Sequence, residues 1–380
     1  MNFAKSEDLT FGLELELQIV NQKDGRLSPS SGEFWEILKH KDNVERFSLE
    51  ATLATIEMNT SVHDNADAML AETLALTKTL TDLAAPMGLV LRGGGTQLTQ
   101  FWNERVIAPT PRAQELTERF GFLPKRFSTY GMHVHIGASS EVNAILIGNA
   151  LQALTPLFIA MSAASPFLQM ADTGFCASRP LEPLIYPHGG PMPRFDNWQQ
   201  FEDIADEIFS TKLAHSLKDI YWDVRPKPEF GTIEVRVFDT PLSVSKAVAM
   251  AAFTRGCAAL VLSGTLALPS SLPPATAERV SRFLACRDGL DSDLFDPFTQ
   301  TWVPARSLLS KLCEAIAAAP VCDSDARQIA ALHSLCIKEQ DCQVMRAAWS
   351  ESQAPYRQAP DVLLAHYSNT VGERLLAPLA

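Results

Sequence analysis

The residues able to do chemistry fall into four short alternating stretches. Phe11–Val20 reads FGLELELQIV. On a strand, Glu14, Glu16 and Gln18 share one face, and Leu13, Leu15, Leu17 and Ile19 share the other. Residues 54–60, ATIEMNT, turn Ile56 and Met58 inward and Thr55, Glu57 and Asn59 outward. Thr129–Gly137, TYGMHVHIG, sets Met132, Val134 and Ile136 against a core and His133 and His135 on the opposite side. Tyr221–Pro241, YWDVRPKPEFGTIEVRVFDTP, points Ile233, Val235 and Val237 one way and Glu234, Arg236 and Phe238 the other. Taken singly, the Glu14/Glu16 and Glu234/Arg236 stretches read as solvated strand faces, where a Glu/Arg pair contributes little, while His133 and His135 read as a plausible metal-ligand or phosphate-binding pair. One sheet could present all of these polar side chains on one surface. Carboxylates with one imidazole and no thiolate suit hard divalent cations, Mg²⁺ or Mn²⁺. An acidic cluster that holds such ions can hold nucleotide phosphates, and Arg225, Arg236 and Arg179 would then stabilise charge during phosphoryl transfer. The expectation is ATP bound through metal on an antiparallel sheet, without a P-loop.

The elements that must position these residues follow from periodicity and punctuation. Strands are expected over the four stretches and over Leu89–Thr96, which ends in Gly93-Gly94-Gly95. That glycine run lacks the spacing and lysine of a P-loop, so it reads as close backbone packing or a bend. Pro226 forces an extended conformation on Arg225. Helices are expected at Glu33–His40, Ala66–Ala85, Glu141–Ser165, Trp198–Leu217 and Ser243–Leu266. Beyond a linker at Ser270–Pro274, Thr276–Arg287, Ala305–Ala319 and Ser324–Ser350 also read as helical. Ala171–Arg194 is a long Gly/Pro-rich loop, and a loop of that length implies a function such as a lid.

Composition bounds the class. The chain has 380 residues, 46% hydrophobic and 20% charged, which suits one large globular domain or two smaller ones. A formal charge of −12 argues against a nucleic-acid partner, which would want a basic face. No signal peptide is expected, and no bilayer span; 144–161 comes nearest, but Asn149, Gln152 and Pro156 interrupt it. The seven cysteines show no CxxC spacing. Cys313, Cys322, Cys336 and Cys342 sit at helix-like positions and read as reduced thiols of a cytoplasmic protein.

Five of these segments stand in an order and spacing that resembles a known family: FGLELEL, TIEMNT, GMHVHIG, ASPFLQMADTGFCASRP and YWDVRPKPEFGTIEVRVFDTP. They resemble the bacterial carboxylate-amine ligases of the YbdK type, also called type 2 glutamate–cysteine ligases. The resemblance runs from about Leu9 to about Leu266, with a weaker echo in ACRDGL at Ala285–Leu290. GMHVH is also similar to the metal-binding strand of glutamine synthetase, whose catalytic fold the family shares. The resemblance implies activation of a carboxylate as an acyl phosphate by ATP, followed by amine attack. It implies metal binding by Glu14, Glu16, Glu57, His133 and Glu234, and places His135 and Arg236 near the transferred phosphate. It implies that Asp172, Thr173, Ser178 and Arg179 lie beside the substrate, that Arg287 lies near ATP, and that the protein is a homodimer. Ser281 stands where the family pattern carries asparagine, and Cys176 and Ala177 vary the substrate loop.

The reading is therefore an α+β fold with a mainly antiparallel sheet backed by helices. A single catalytic domain is expected over 1–380, with a sheet-bearing core at 1–266 and a helical part at 267–380. The function expected is that of an ATP- and Mg²⁺-dependent ligase joining a small carboxylate to a small amine, with glutamate and cysteine as default substrates. Two other readings stay open on the residues: a metal-dependent amide hydrolase, and a non-catalytic nucleotide- or metal-binding regulator.

Overall fold

A computed structural model describes residues 1–126, 129–271, 273–353 and 360–379. Alternation along the chain builds the central sheet. Its strands are β1 (Phe11–Asn21), β2 (Phe47–Leu49), β3 (Thr55–Asn59), β4 (Leu89–Arg92), β5 (Gly131–Gly137), β6 (Val224–Lys227) and β7 (Thr232–Asp239). They pair antiparallel in the order β6-β7-β5-β1-β3-β2, and β4 pairs with the second half of β1. The expected α+β architecture with a mainly antiparallel sheet is present. The three-residue β2 gave no alternating signal. The strand expected over Leu89–Thr96 stops at Arg92, because the glycines after it pack backbone on backbone. A Cβ on Gly93 would fall 2.0 Å from the Pro241 carbonyl oxygen, and one on Gly95 would meet the Asp239 carboxyl at 2.5 Å.

The apolar face of the sheet is closed by helices. Leu13, Leu15, Leu17, Ile56, Met58, Met132, Val134, Ile136, Ile233 and Val235 are all buried in one continuous core. Each such side chain contributes about 1.5–3 kcal/mol when fully removed from water. The covering helices include α1 (Ala66–Ala84), α2 (Glu141–Ala153), α3 (Thr155–Ser162) and α4 (Val244–Leu262). The single helix expected over Glu141–Ser165 is two, bent by 57°. Pro156 lies in the first turn of α3, where its missing N–H needs no partner but where it cannot continue the preceding helix. The helix nearest a membrane span by length and composition is α4 rather than 144–161, and 89% of its most apolar window is buried inside the protein. It packs against α1, α2, β1 and β5.

The C-terminal part adds α5 (Ala275–Asp288), α6 (Ala305–Ala318), α7 (Asp323–Lys338), α8 (Asp341–Gln353) and α9 (Pro360–Gly372). A hairpin of Asp293–Asp296 with Thr301–Pro304, absent from the sequence reading, joins α5 to α6. The helix expected over Ser324–Ser350 is interrupted at Glu339, whose backbone is extended. No disulfide joins the seven cysteines.

One strand departs from simple alternation, and the departure shapes the site. Val235 of β7 pairs with Val134, but Phe238 pairs with Met132. Arg236 and Val237 therefore both oppose His133, which is a β-bulge. The extra residue reverses the faces beyond it. Phe238, expected beside Glu234 and Arg236, turns instead into the core, where its ring lies 5.1 Å from that of Phe158.

Candidate active site

The polar face of the sheet carries the acidic residues in register. Glu14 lies opposite His133, Glu16 opposite Glu57, Glu234 opposite His135, and Arg225 opposite Glu234. The four alternating stretches thus form one belt across β3, β1, β5 and β7. Glu14 joins its two sides. Its Oε2 lies 2.9 Å from His133 Nδ1 and its Oε1 lies 3.1 Å from His135 Nε2. His133 Nδ1 is also 3.8 Å from Glu234, and its Nε2 is 3.9 Å from Glu16. The other nitrogen of His135 meets the Thr232 hydroxyl at 3.1 Å.

Three overlapping groups converge closely enough to share a cation: Glu14 with Glu57 and His133, Glu14 with His135 and Glu234, and Glu16 with Glu50 and Glu57. Glu50 was not foreseen. It follows the short β2, so no periodicity marks it. The cue available was its neighbour Ser48, which pairs with Glu57 across β2 and β3.

Electrostatics divides the cluster. Burial opposes ionisation of Glu14, but hydrogen bonds to His133 and His135 hold its carboxyl well below the usual range. Burial likewise opposes Glu234, yet the guanidinium groups of Arg225 and Arg236 hold it low. Burial pushes Glu57 well above the ordinary value, and Glu50, Glu14 and Glu16 add to the rise. Burial and Glu16 push Glu50 up to about 7. Burial and then Arg236 lower His133, which keeps its imidazole neutral and available as a ligand. Carboxylates that cannot all ionise together are the arrangement a divalent ion relieves, so this donor set fits Mg²⁺ or Mn²⁺.

Three of the foreseen arginines gather at the Glu234 end. Arg225 is buried; its Nε and Nη2 reach Glu234 at 2.9 and 2.8 Å, and its Nη1 donates to the carbonyls of Leu217 and Ile220. Arg236 donates to the other oxygen of Glu234. Arg179 comes from the long loop, not the sheet. Its guanidinium lies at the bulge, 3.3 Å from the Val237 carbonyl oxygen and 3.4 Å from that of Arg236. Gly131 leaves room for it, since a Cβ there would fall 2.0 Å from Arg179 Nη2. A small cleft beside the bulge is lined by Arg179, Tyr221, Asp223, Arg236 and Val237.

The remaining expected residues are not in contact with the acidic belt. Asp172 is exposed and binds Arg346 of α8 through both oxygens, at 2.7 and 2.8 Å. The Thr173 hydroxyl donates to the Pro166 carbonyl, and that of Ser178 to the Ser165 carbonyl. Arg287 is exposed, pairs with its neighbour Asp288 and lies over the Phe283 ring. From the same helix it is Arg282, passed over in the sequence, that reaches inward. Arg282 is buried, donates to the Asp223 carboxylate, and bonds the Pro180 carbonyl at 2.7 Å. Asp223 in turn accepts the Arg236 N–H at its own carbonyl, 2.8 Å away.

Known proteins share this sequence pattern and this fold. The model of glutamate–cysteine ligase family 2 matches residues 10–357. A protein of Janthinobacterium sp. (strain Marseille) named "Putative glutamate--cysteine ligase 2" is 40% identical over 305 residues, covering 79% of this chain and 81% of its own. One of the same name from Ralstonia pickettii (strain 12J) is 38% identical over 301 residues, covering 78% of each. Among solved structures, glutamate–cysteine ligase from Francisella tularensis in complex with AMP is similar in fold. Its TM-score is 0.68 at 12% identity, over 98% of this chain and 90% of that one. A bifunctional glutathione synthetase from Pasteurella multocida gives 0.64 at 12% identity, over 96% of this chain and 52% of that one. The motifs along the first two thirds of the chain and the match over nearly all of it agree: this protein belongs to glutamate–cysteine ligase family 2, a family of ligases.

Proposed function

We propose that this protein is an ATP-dependent carboxylate–amine ligase that forms an amide through an acyl phosphate, with glutamate and cysteine as the first substrates to test. The observation that carries the reading is the acidic belt itself. Glu14, Glu57, His133, His135 and Glu234 converge on one sheet face, and two arginines flank it at the Glu234 end. A carboxylate resists amine attack until its oxygen becomes a leaving group, and phosphorylation by ATP supplies that. Divalent ions held by Glu14, Glu16, Glu50, Glu57, His133 and Glu234 would neutralise charge on the nucleotide phosphates.

The chain's own residues supply the rest. Arg236 and Arg179 are placed to stabilise negative charge on the phosphoryl group as it transfers, because preorganised guanidinium groups in a water-poor site cost no reorganisation. Arg225 is a positioning residue: its two contacts to Glu234 fix the carboxylate, and its carbonyl contacts fix Arg225 itself. His135, held between Glu14 and Thr232, presents its ring toward the same space. Glutamate–cysteine ligation is the activity that the names of the relatives carry, and the fold neighbour, solved in complex with AMP, is in keeping with a nucleotide substrate.

The test is phosphate release from Mg-ATP against a panel of amino acids and amines, singly and in pairs, with products identified by mass spectrometry. Fast turnover only when a carboxylate and an amine are both present supports the ligase. Release with one partner alone, or none under any pairing, overturns it.

A further inference from the structure

The loop that carries Arg179 is closed at its base on one residue, Ser165. The Ser165 N–H donates to the Cys176 carbonyl, and the Ser165 carbonyl accepts both the N–H and the hydroxyl of Ser178. Ser165 Oγ accepts the N–H of Arg179 itself at 3.0 Å. The same hydroxyl donates to Oδ2 of Asp239 at 2.6 Å, a length typical of a hydroxyl on a carboxylate. That oxygen also accepts the Ala164 N–H at 2.9 Å. A short chain of hydrogen bonds therefore runs from the end of β7, through one hydroxyl, to the backbone of Arg179.

We propose that Asp239 is a positioning residue for the transfer step: through Ser165 it fixes the backbone from which Arg179 reaches the bulge. The proposal rests on the ligase reading for the use of the Arg179 charge. The guanidinium end of Arg179 makes carbonyl contacts of only 3.3–3.4 Å, so its aim is set from the backbone end. Asp239 acts through Arg179 and needs no contact with a substrate.

Asp239 owes its place to the bulge. It follows Phe238, which the bulge turns into the core, so its own side chain turns to the face that carries the acidic belt. Its strand partner is Gly131, whose missing side chain leaves room for the Arg179 guanidinium. The carboxyl is fully buried against Gly95, where a Cβ would fall 2.5 Å from it. Among the described residues Asp239 makes no salt bridge, and its Oδ1 has no hydrogen-bond partner. A buried carboxylate with no cation paired to it opposes folding, so stability does not account for this residue. Its two hydrogen bonds on Ala164 and Ser165, at the root of the loop, do.

Ser165→Ala breaks the bridge and leaves the backbone bonds of the loop base in place. Hydrogen-exchange mass spectrometry on the full chain should show faster uptake over 163–180, with none added over 131–137 or 224–235. Unchanged uptake over 163–180, or an equal rise across the sheet, overturns the anchor. With a substrate pair that turns over, Ser165→Ala should lower kcat about 10-fold and keep the KM for Mg-ATP within about 2-fold. Asp239→Asn, whose amide oxygen can accept both hydrogen bonds, should keep more of kcat than Asp239→Ala. In an Arg179→Met background, Ser165→Ala should cost less than about 2-fold more, because both changes remove the effect of one group. Losses that multiply, or a raised KM with kcat kept, overturn the proposal. A wild-type chain that never releases phosphate sinks the ligase reading instead, and the exchange result still decides whether Asp239 holds the loop.

Discussion

Glu50 and Glu57 bring carboxylate oxygens within 4.8 Å of each other, with Glu16 in the same group, and both carboxyls are raised above the ordinary carboxylate range, chiefly by burial. Burial and then Glu16 raise Glu50 to about 7, with Glu57 working the other way, while burial and then Glu50 raise Glu57 well above its ordinary value. A group whose folded pKa is raised contributes stability that is full below its unfolded value and lost as pH rises through its folded value. The metal-free protein should therefore lose stability between about pH 5 and 8 from this pair. Melting temperatures with EDTA should fall over that window, fall less in Glu50→Gln, and recover with MgCl₂ more at pH 8 than at pH 6. A magnesium effect of equal size at both pH values would show that these carboxyls are not the ligands.

Glu57 and Glu234 sit in the same belt but should fail differently. Glu57→Gln replaces a carboxyl whose ionised form burial and its acidic neighbours disfavour, so its metal-free melting temperature should equal or exceed that of the wild type, while phosphate release falls about 100-fold or more. Glu234→Gln leaves Arg225 and Arg236 buried without their counter-charge. It should cost about 3 kcal/mol as well as activity. Denaturant unfolding of both variants separates the cases, and equal loss of stability would sink the distinction.

Arg282 and Arg287 lie on one helix, and only the first touches the machinery. Arg282→Met leaves Asp223 buried and unpaired, and Asp223 fixes the Arg236 backbone at the bulge. Turnover should fall about 10-fold or more with little change in KM for Mg-ATP, the signature of a misplaced group rather than a lost binding contact. Arg287→Ala should change turnover less than Arg282→Met does. The reverse order would mean that Arg287 swings onto the nucleotide.

Much of this site was legible because strand periodicity is rigid. Once Leu13, Val134 and Ile233 face a core, Glu14, His133 and Glu234 must face away from it, and antiparallel pairing brings them together. What alternation could not carry was hidden for physical reasons. The bulge at Arg236 and Val237 adds one residue that no side-chain pattern announces, so Phe238 was assigned to the wrong face. Glu50 follows a strand too short to show a period. Arg282 and Arg287 are five residues apart, which puts them on different faces of a helix, and only packing decides which one turns inward. Asp172 and Thr173 matched a motif, yet Thr173 bonds the Pro166 carbonyl within its own loop, and Asp172 pairs with Arg346, a contact that depends on how α8 docks.

Gly131 offers the sharpest separation of the proposed metal site from the proposed phosphoryl site. Its N–H donates to Glu16 at 2.5 Å, and its missing side chain leaves the space filled by Arg179 Nη2. Arg179 is loosely anchored: its carbonyl contacts are 3.3–3.4 Å, and its Nε has no hydrogen-bond partner among the described residues. In Gly131→Ala the methyl group would displace this guanidinium, which is the free end of a flexible side chain, so stability should fall by no more than about 1–2 kcal/mol. The backbone N–H to Glu16 survives, so Mn²⁺ affinity should stay within about 2-fold of wild type, while turnover falls about 100-fold if Arg179 stabilises the transferring phosphoryl group. Manganese titration followed by electron paramagnetic resonance, alongside phosphate release, reads the two effects apart. If turnover is unchanged while Arg179 is displaced, Arg179 is a structural residue and the transfer charge rests on Arg236.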